Sequence, residues 1–376
     1  MHKGNVIFHG EQLPYSSRIC ISCLQQMFKH TAASYKYIYF LSILDVLEEN
    51  SFESPVISLD DVLVRMLVNA WYPHVYFKLN FGVGDRIAHT IDALCLAEIE
   101  LPIQSNSSNE LSMIIRSKKY QNNNLLNMVP YRILSPFFRD ELQGIKDSDR
   151  NRLIAQLAER LFENRRPLYM FIDNATKVIV HHDWMLYLYE NIGLVRAFTA
   201  WNYLDYMQRR NPSVPNIKDK LFPPVARNSL SNQTTYWKIA LGHSRIRCIY
   251  SGNILNENTM SLDHFIPWSF VAHDQMWNLL PVEKNINSSK SNRLPSMKKY
   301  LNPFIELQFA GLQAIHRNSN DNVWRKVTEP YVSDLNIPKD NLFQIESFGR
   351  ALKQTIIPLE TIARNRGFAG DWVYKG

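Results

Sequence analysis

Asp263 and His264 stand side by side in the segment MSLDHFIPWSFV, amide side chains follow at Asn278 and Asn287, and Lys290 comes three positions after the second amide. Residues of these types suit hydrolysis of a phosphodiester. That reaction needs a general base to deprotonate water, a divalent cation to neutralise the leaving oxygen, and cations to hold the flanking phosphates. A neutral histidine serves as the base near pH 7, which makes His264 the candidate. A hard cation such as Mg²⁺ takes oxygen ligands and keeps several waters, so the carboxylate of Asp263 and the amide oxygen of Asn287 would suffice as the protein's share. Lys290 lies on the same helix face as Asn287 and is expected to reach a phosphate. Arg245, Arg247, Arg293 and Lys298, with Lys238 and Lys299, outnumber the acids of this stretch. Beside such a site they form a candidate phosphate track; on their own they would be a solvated face.

The elements that must position these groups are legible around them. RIRCIYSGNIL reads as a short strand and a turn, and a second short strand ends at Asp263-His264. A long loop follows, then a strand over Leu279 to Val282 and a helix from about Glu283 to Ser291. His273, in the loop, is a rival base expected to be solvent-exposed. Asn285 competes with Asn287 for the ligand role, because a shifted helix start changes the register.

With an Asn fourteen positions after the His, a second Asn nine further on and Lys three beyond it, the segment resembles the HNH endonucleases of ββα-metal fold. It is most similar to the HNH domain of RNA-guided CRISPR nucleases, in an H-N-N variant. The resemblance covers about residues 245 to 295. It implies His264 as general base, Asp263 and Asn287 as ligands of one divalent cation (Mg²⁺, or Mn²⁺ in its place), and Asn278 as the amide that fixes the loop presenting the base. Many such domains also hold a structural zinc between two CxxC pairs. Cys248 stands alone here, Ser251 occupies its partner's place, and no structural zinc is expected.

The chain of 376 residues is long enough for two or three domains, and its 45% hydrophobic and 20% charged residues exclude a globally disordered protein. Its net charge of +7 is compatible with a polyanionic partner and decides nothing alone. Four cysteines make no disulfide framework, so reduced thiols are expected, with Cys20 and Cys23 packing on a helix. The opening residues show no apolar signal segment, and Tyr37 to Leu47 is too short for a membrane span; a soluble, cytoplasmic protein with no membrane partner is the expectation.

Apolar residues three and four apart predict successive helices from Ser16 to about Glu100, one of them capped at Ser58 ahead of Asp60 and Asp61. Gln104 to Asn109 and Gln121 to Asn124 read as loops, Asp147 to Asn164 as a helix, and RPLYMFIDNATKVIVHH as a hairpin turning at Asp173 to Thr176. Trp184 to Arg210 reads as one long helix with a buried aromatic face, and His181-His182 as a strand end. Helices resume after Pro303.

The expected fold is mainly α with a small α+β module. A helical targeting or regulatory region occupies 1–225 and a ββα-metal nuclease domain 226–300, with a helical extension over 301–376 packing on that domain. The expected function is that of a metal-dependent endonuclease acting on DNA, with a protein partner conceivable through the N-terminal region and restriction or phage defence suggested by family analogy. The alternatives are a catalytically silent nucleic-acid-binding module, and an RNase or nickase subunit of a larger complex.

Overall fold

A computed structural model describes residues 13–29, 31–99, 107–118, 124–223 and 228–376. The chain forms two units, one running through Pro212 with Leu221–Val225, the other made of Ser213–Lys220 and Ala226–Gly376. The fold is mainly α with small β modules, as expected from sequence.

In the first unit, helix α1 (Tyr35–Glu49) is buried over most of its circumference, as suits a central helix that is apolar nearly all round. Helix α2 (Leu59–Trp71) packs on it and begins at the expected cap: the Ser58 hydroxyl accepts the Asp60 N–H at 3.3 Å, and Asp60 and Asp61 occupy the first turn. Strand β1 (Val56–Ser58) was not foreseen, since three residues are too few to show alternation. It pairs antiparallel with β3 (Lys177–Val180), which pairs with β2 (Tyr169–Ile172) in the expected hairpin. Asp173, Asn174 and Ala175 take positive φ to turn that hairpin. Helix α3 (His182–Arg210) departs from helical geometry at Asn191. Its aromatic residues divide: Trp184, Tyr187, Phe198, Tyr203 and Tyr206 are buried, while Tyr189 and Trp201 face solvent.

Two expectations change in this unit. Ser107–Ser117 is a helix, so the polar run counted as a loop begins one instead; Gln104 to Asn106 and Gln121 to Asn123 lie outside the described residues. Cys20 and Cys23 are joined by a disulfide where free thiols were expected. Their spacing at the start of a helix brings the two Cα atoms to 5.3 Å, within the range a disulfide spans.

The second unit contains α4 (Ser231–His243), β4 (Met260–His264), β5 (Leu279–Glu283), α5 (Lys284–Lys290), α6 (Met297–Asn318), α7 (Asp321–Asp334) and α8 (Ile345–Asn365). Strands β4 and β5 pair antiparallel, Asp263 opposite Leu280 and His264 opposite Leu279. Helix α5 folds back onto both strands, which completes a ββα arrangement. Helix α6 starts at Met297 and includes Pro303 rather than following it. It lies against α4 and α8 and supports the strand pair from its own side: Phe304 stacks on Phe265 with ring centroids 4.0 Å apart, and Gln308 donates to the Leu279 carbonyl at 2.6 Å. The upstream RIRCIYSGNIL segment is reduced to an isolated bridge between Arg247 and Ile254, closed by a turn in which Gly252 takes φ +79.

Candidate active site

Strand β4 ends in Asp263 and His264, and the pairing with β5 holds both at the rim of the ββα unit. The Asp263 side chain is 4% exposed and both its oxygens are engaged. Oδ2 accepts from the Tyr250 hydroxyl at 3.0 Å and Oδ1 from the Lys290 ammonium at 3.0 Å. Burial, with the neighbouring carboxylate, pushes the Tyr250 hydroxyl pKa well up, so the phenol keeps its proton and donates it. Tyr250 is itself held edge-on by Tyr300 and Trp372.

Lys290 is where the structure departs most from the expected site. Its side chain is 0% exposed, and its amine also donates to the His264 carbonyl at 2.6 Å. It is therefore no phosphate contact. The helix face it shares with Asn287 is the face turned to β4, which puts the charge inside against a carboxylate. Burial lowers its pKa, and Asp263 opposes that shift by favouring the charged form.

His264 is nearly buried, and its Nε2 lies 2.8 Å from Oδ1 of Asp274, ten positions on in the loop between the strands. Asn278 is fully buried and faces the backbone just beyond His264. Its Oδ1 accepts the Ile266 N–H at 2.8 Å, its Nδ2 donates to the Ile266 carbonyl at 2.9 Å, and its own carbonyl accepts the Phe265 N–H at 2.8 Å. Both ends of the Asn278 amide are thereby spent on the backbone of Ile266, two residues after His264. Asn287, on α5, gives its Nδ2 to Ser261 Oγ and to the Leu262 carbonyl, each at 3.0 Å. Both amide hydrogens are thereby spent on β4, which sets the orientation of the amide and turns Oδ1 away from the strand. Asn285 is exposed and Asn287 half-buried, so the register of α5 puts Asn287 against β4.

The long loop between the strands has structure of its own. It contains a helical turn at Trp268–Val271 and a 3₁₀ turn at Met276–Asn278, and Trp277 Nε1 donates to Asp334 of α7 at 2.8 Å. His273 is consequently half-buried, and desolvation, with His264 nearby, lowers its pKa to about 4. Its Nδ1 accepts the Gln275 N–H at 3.3 Å.

Of the expected phosphate contacts, Arg245, Arg247, Arg293 and Lys298 are all exposed. Arg247 donates to the Gly252 carbonyl at 2.9 Å. Arg293 hydrogen-bonds the Ser289 and Lys290 carbonyls at the end of α5 and lies over the Trp372 ring. Where Cys248 would need a partner, Ser251 and Asn253 instead hydrogen-bond the Glu283 carboxylate.

The two groups that the resemblance names as cation ligands are both oxygen donors, a carboxylate and an amide, as a hard divalent cation prefers, but here the Asp263 carboxylate is buried and its two oxygens are taken by Tyr250 and Lys290. A second group of potential ligands among the described residues is Glu163, His181 and His182 in the first unit. His181 caps α3, its Nδ1 accepting the Asp183 N–H at 3.1 Å. The neutral ring then carries its proton on Nε2, the nitrogen facing Glu163 at 3.8 Å, so that atom has no lone pair ready for a metal.

Asp274 and Tyr250 are the partners that sequence did not single out. Neither has a periodic relation to the residue it touches, and the only signal was their place inside the motif-bearing stretch.

The second unit thus holds a ββα unit with an Asp-His pair at the end of one strand and an Asn on the following helix. Residues 248–296 match the model of a family described as HNH endonuclease, and the second unit of this chain carries a domain of that family. No curated protein and no solved structure matches the chain.

Proposed function

We propose that this protein is a metal-dependent endonuclease that hydrolyses DNA phosphodiester bonds, with His264 as the general base. The observation that carries the reading is the convergence on one ββα unit of Asp263 and His264 at the end of β4, Asn287 tied to β4 from α5, and Asn278 clamping the chain just after the base. His264 accepts a proton from water, the water oxygen bonds to phosphorus, and the bond from phosphorus to the leaving sugar oxygen breaks, that oxygen taking a proton from solvent. Asp263 and Asn287 are the residues that would hold a divalent cation, which would supply neutralisation of charge on the phosphate and the leaving oxygen. Lys290 and Tyr250 hold the Asp263 carboxylate in one orientation, and Asn278 keeps the backbone of Phe265 and Ile266 from drifting. The exposed Arg245, Arg247, Arg293 and Lys298 are the groups available to the flanking phosphates.

The test is incubation of the purified chain with supercoiled plasmid in Mg²⁺, Mn²⁺ or EDTA, with a structured RNA in parallel. Metal-dependent nicking or linearisation is expected, abolished in His264→Ala and retained in His273→Ala. Cleavage of the RNA alone would move the reading to a ribonuclease, and wild-type cleavage by His264→Ala would remove His264 from the chemistry.

A further inference from the structure

We propose that a cleft walled in part by Asp274 takes one unpaired nucleobase of the DNA strand being cut, so that the substrate is single-stranded or locally opened DNA. The inference rests on the nuclease reading above and names the form of DNA on which it acts. The cleft measures about 440 Å³ and lies wholly within the second unit, between α4, the segment joining β4 to β5, and helices α6 and α7. The carboxylate of Asp274 lies 2.8 Å from His264 Nε2. An occupant of the cleft is therefore within one nucleotide's reach of a phosphate at His264.

The walls suit a base. Ile239, Met276, Ile315, Val323 and Val327 offer apolar surface to its faces. Val323, Lys326 and Val327 share one face of α7 by their three- and four-residue spacing, and Lys326 is exposed there to meet a phosphate next to the bound base. The edges of a base need hydrogen-bonding groups, and amides line the cleft at Asn232, Gln233 and Gln275. Gln233 is fixed in orientation, its Nε2 donating to the Asp274 carbonyl at 3.2 Å, while its Oε1 is a buried acceptor with no partner among the described residues. An exocyclic amine or ring N–H of a base is a donor of the kind this oxygen lacks. In a duplex those groups are engaged in pairing, and a cleft of this size admits one base with its sugar but no stacked pair.

What adjoins the cleft favours a strand over an isolated small molecule. Ile315 and Val323 are followed in the chain by His316 and Trp324, whose rings lie 4.7 Å apart, and Phe343 stacks on Trp324 at 5.4 Å. His316 and Phe343 are exposed, so the next base of an unpaired strand has an aromatic surface on which to stack.

The experiment measures binding of the full chain to one labelled DNA sequence, as a single strand and as a paired duplex, by fluorescence anisotropy in EDTA. The single strand should bind about tenfold tighter, the worth of one base held against such a wall. Thr235→Trp and Val323→Trp fill the cleft from α4 and from α7, at exposed positions and without added charge. Each should lower single-strand affinity about tenfold, with duplex affinity and melting temperature as the references. Photocrosslinking of a strand carrying 5-iodouracil should place adducts within 232–239, 274–276 or 323–330. Equal affinity for the two forms of DNA overturns the proposal, as does an undiminished single-strand preference in both folded variants, or crosslinks confined to other parts of the chain. A protein that shows the preference and the crosslinks yet cuts no DNA in Mg²⁺ or Mn²⁺ defeats the nuclease reading and leaves the cleft standing as a base site. One that cuts duplex DNA with no single-strand preference keeps the nuclease reading and defeats this proposal.

Discussion

Asn278 and Asn287 carry the same amide and are set to different work by what that amide touches. Asn278 spends both ends on the Ile266 backbone, whereas Asn287 spends its nitrogen on β4 and keeps its oxygen. Asn287→Ala should therefore shift the Mg²⁺ titration of activity to higher concentration, with Asn287→Asp shifting it less. Asn278→Ala should lower turnover with an unshifted titration. It should also destabilise the fold by about 1–3 kcal/mol for each Ile266 group left unsatisfied. A shifted curve for Asn278→Ala with an unshifted one for Asn287→Ala would reverse the assignment and point to Asn285. Lys290 makes a third case at this scale. Lys290→Ala leaves the buried Asp263 carboxylate without its counter-charge, a loss of about 3–5 kcal/mol that urea unfolding would register. The salt dependence of DNA binding should be the same in that variant as in the wild type, since the amine faces inward; a reduced slope would mean that Lys290 reaches phosphate after all.

At the scale of elements, the segment between β4 and β5 decides how rigidly the base is held. Besides the Asn278 clamp, it is secured by Lys220 on the short helix Ile217–Leu221, whose fully buried amine donates to the Pro215 carbonyl at 2.6 Å and to the Phe270 carbonyl. Burial, with Arg366 as a nearby like charge, lowers the Lys220 pKa to about 7 from an ordinary 10.5. Between those two values the unfolded chain binds more protons at this site than the folded one. Stability should therefore rise with pH above 7, and the penalty of charging the buried amine is fully present below it. Unfolding midpoints taken from pH 7 to 9 should rise more steeply for the wild type than for Lys220→Met. Parallel slopes would show that Lys220 stays charged in the folded state.

For the whole molecule, the observed division of the chain changes where a nuclease fragment should begin. Ser213–Lys220 belongs with the second unit, and Asn216 and Lys220 hydrogen-bond the loop that follows the Asp-His pair, Asn216 to the Val271 carbonyl at 2.8 Å. A fragment of 213–376 should unfold cooperatively and cut plasmid, whereas 226–376 should melt several degrees lower and cut less. Equal melting temperatures would show that the upstream segment contributes nothing. The same 213–376 fragment tests whether the first unit restrains or targets the nuclease: broader or faster cleavage than by the full chain is expected, and identical rate and substrate range would exclude that role.

Sequence alone determined the parts of this protein that depend on local order. The Asp-His pair ending a strand, the spacing to the two asparagines, the helix after Glu283, the hairpin at Asp173 and the cap at Ser58 were all legible, because strand alternation, turn chemistry and helix capping act over a few residues. What side chains meet across elements was decided only by tertiary packing. Lys290 and Asn287 were correctly placed on one face, yet periodicity does not say whether that face looks to solvent or to β4, and the difference turns a phosphate contact into a buried counter-charge. His273 was expected to be exposed because loops usually run over the surface, and it is half-buried where the turns of that loop pack against α7. The meetings of Asp274 with His264 and of Tyr250 with Asp263 join residues ten and thirteen positions apart through loops with no repeat to read. Such pairings are fixed by the burial of the surrounding apolar groups, which closes the loops and brings the polar ends together.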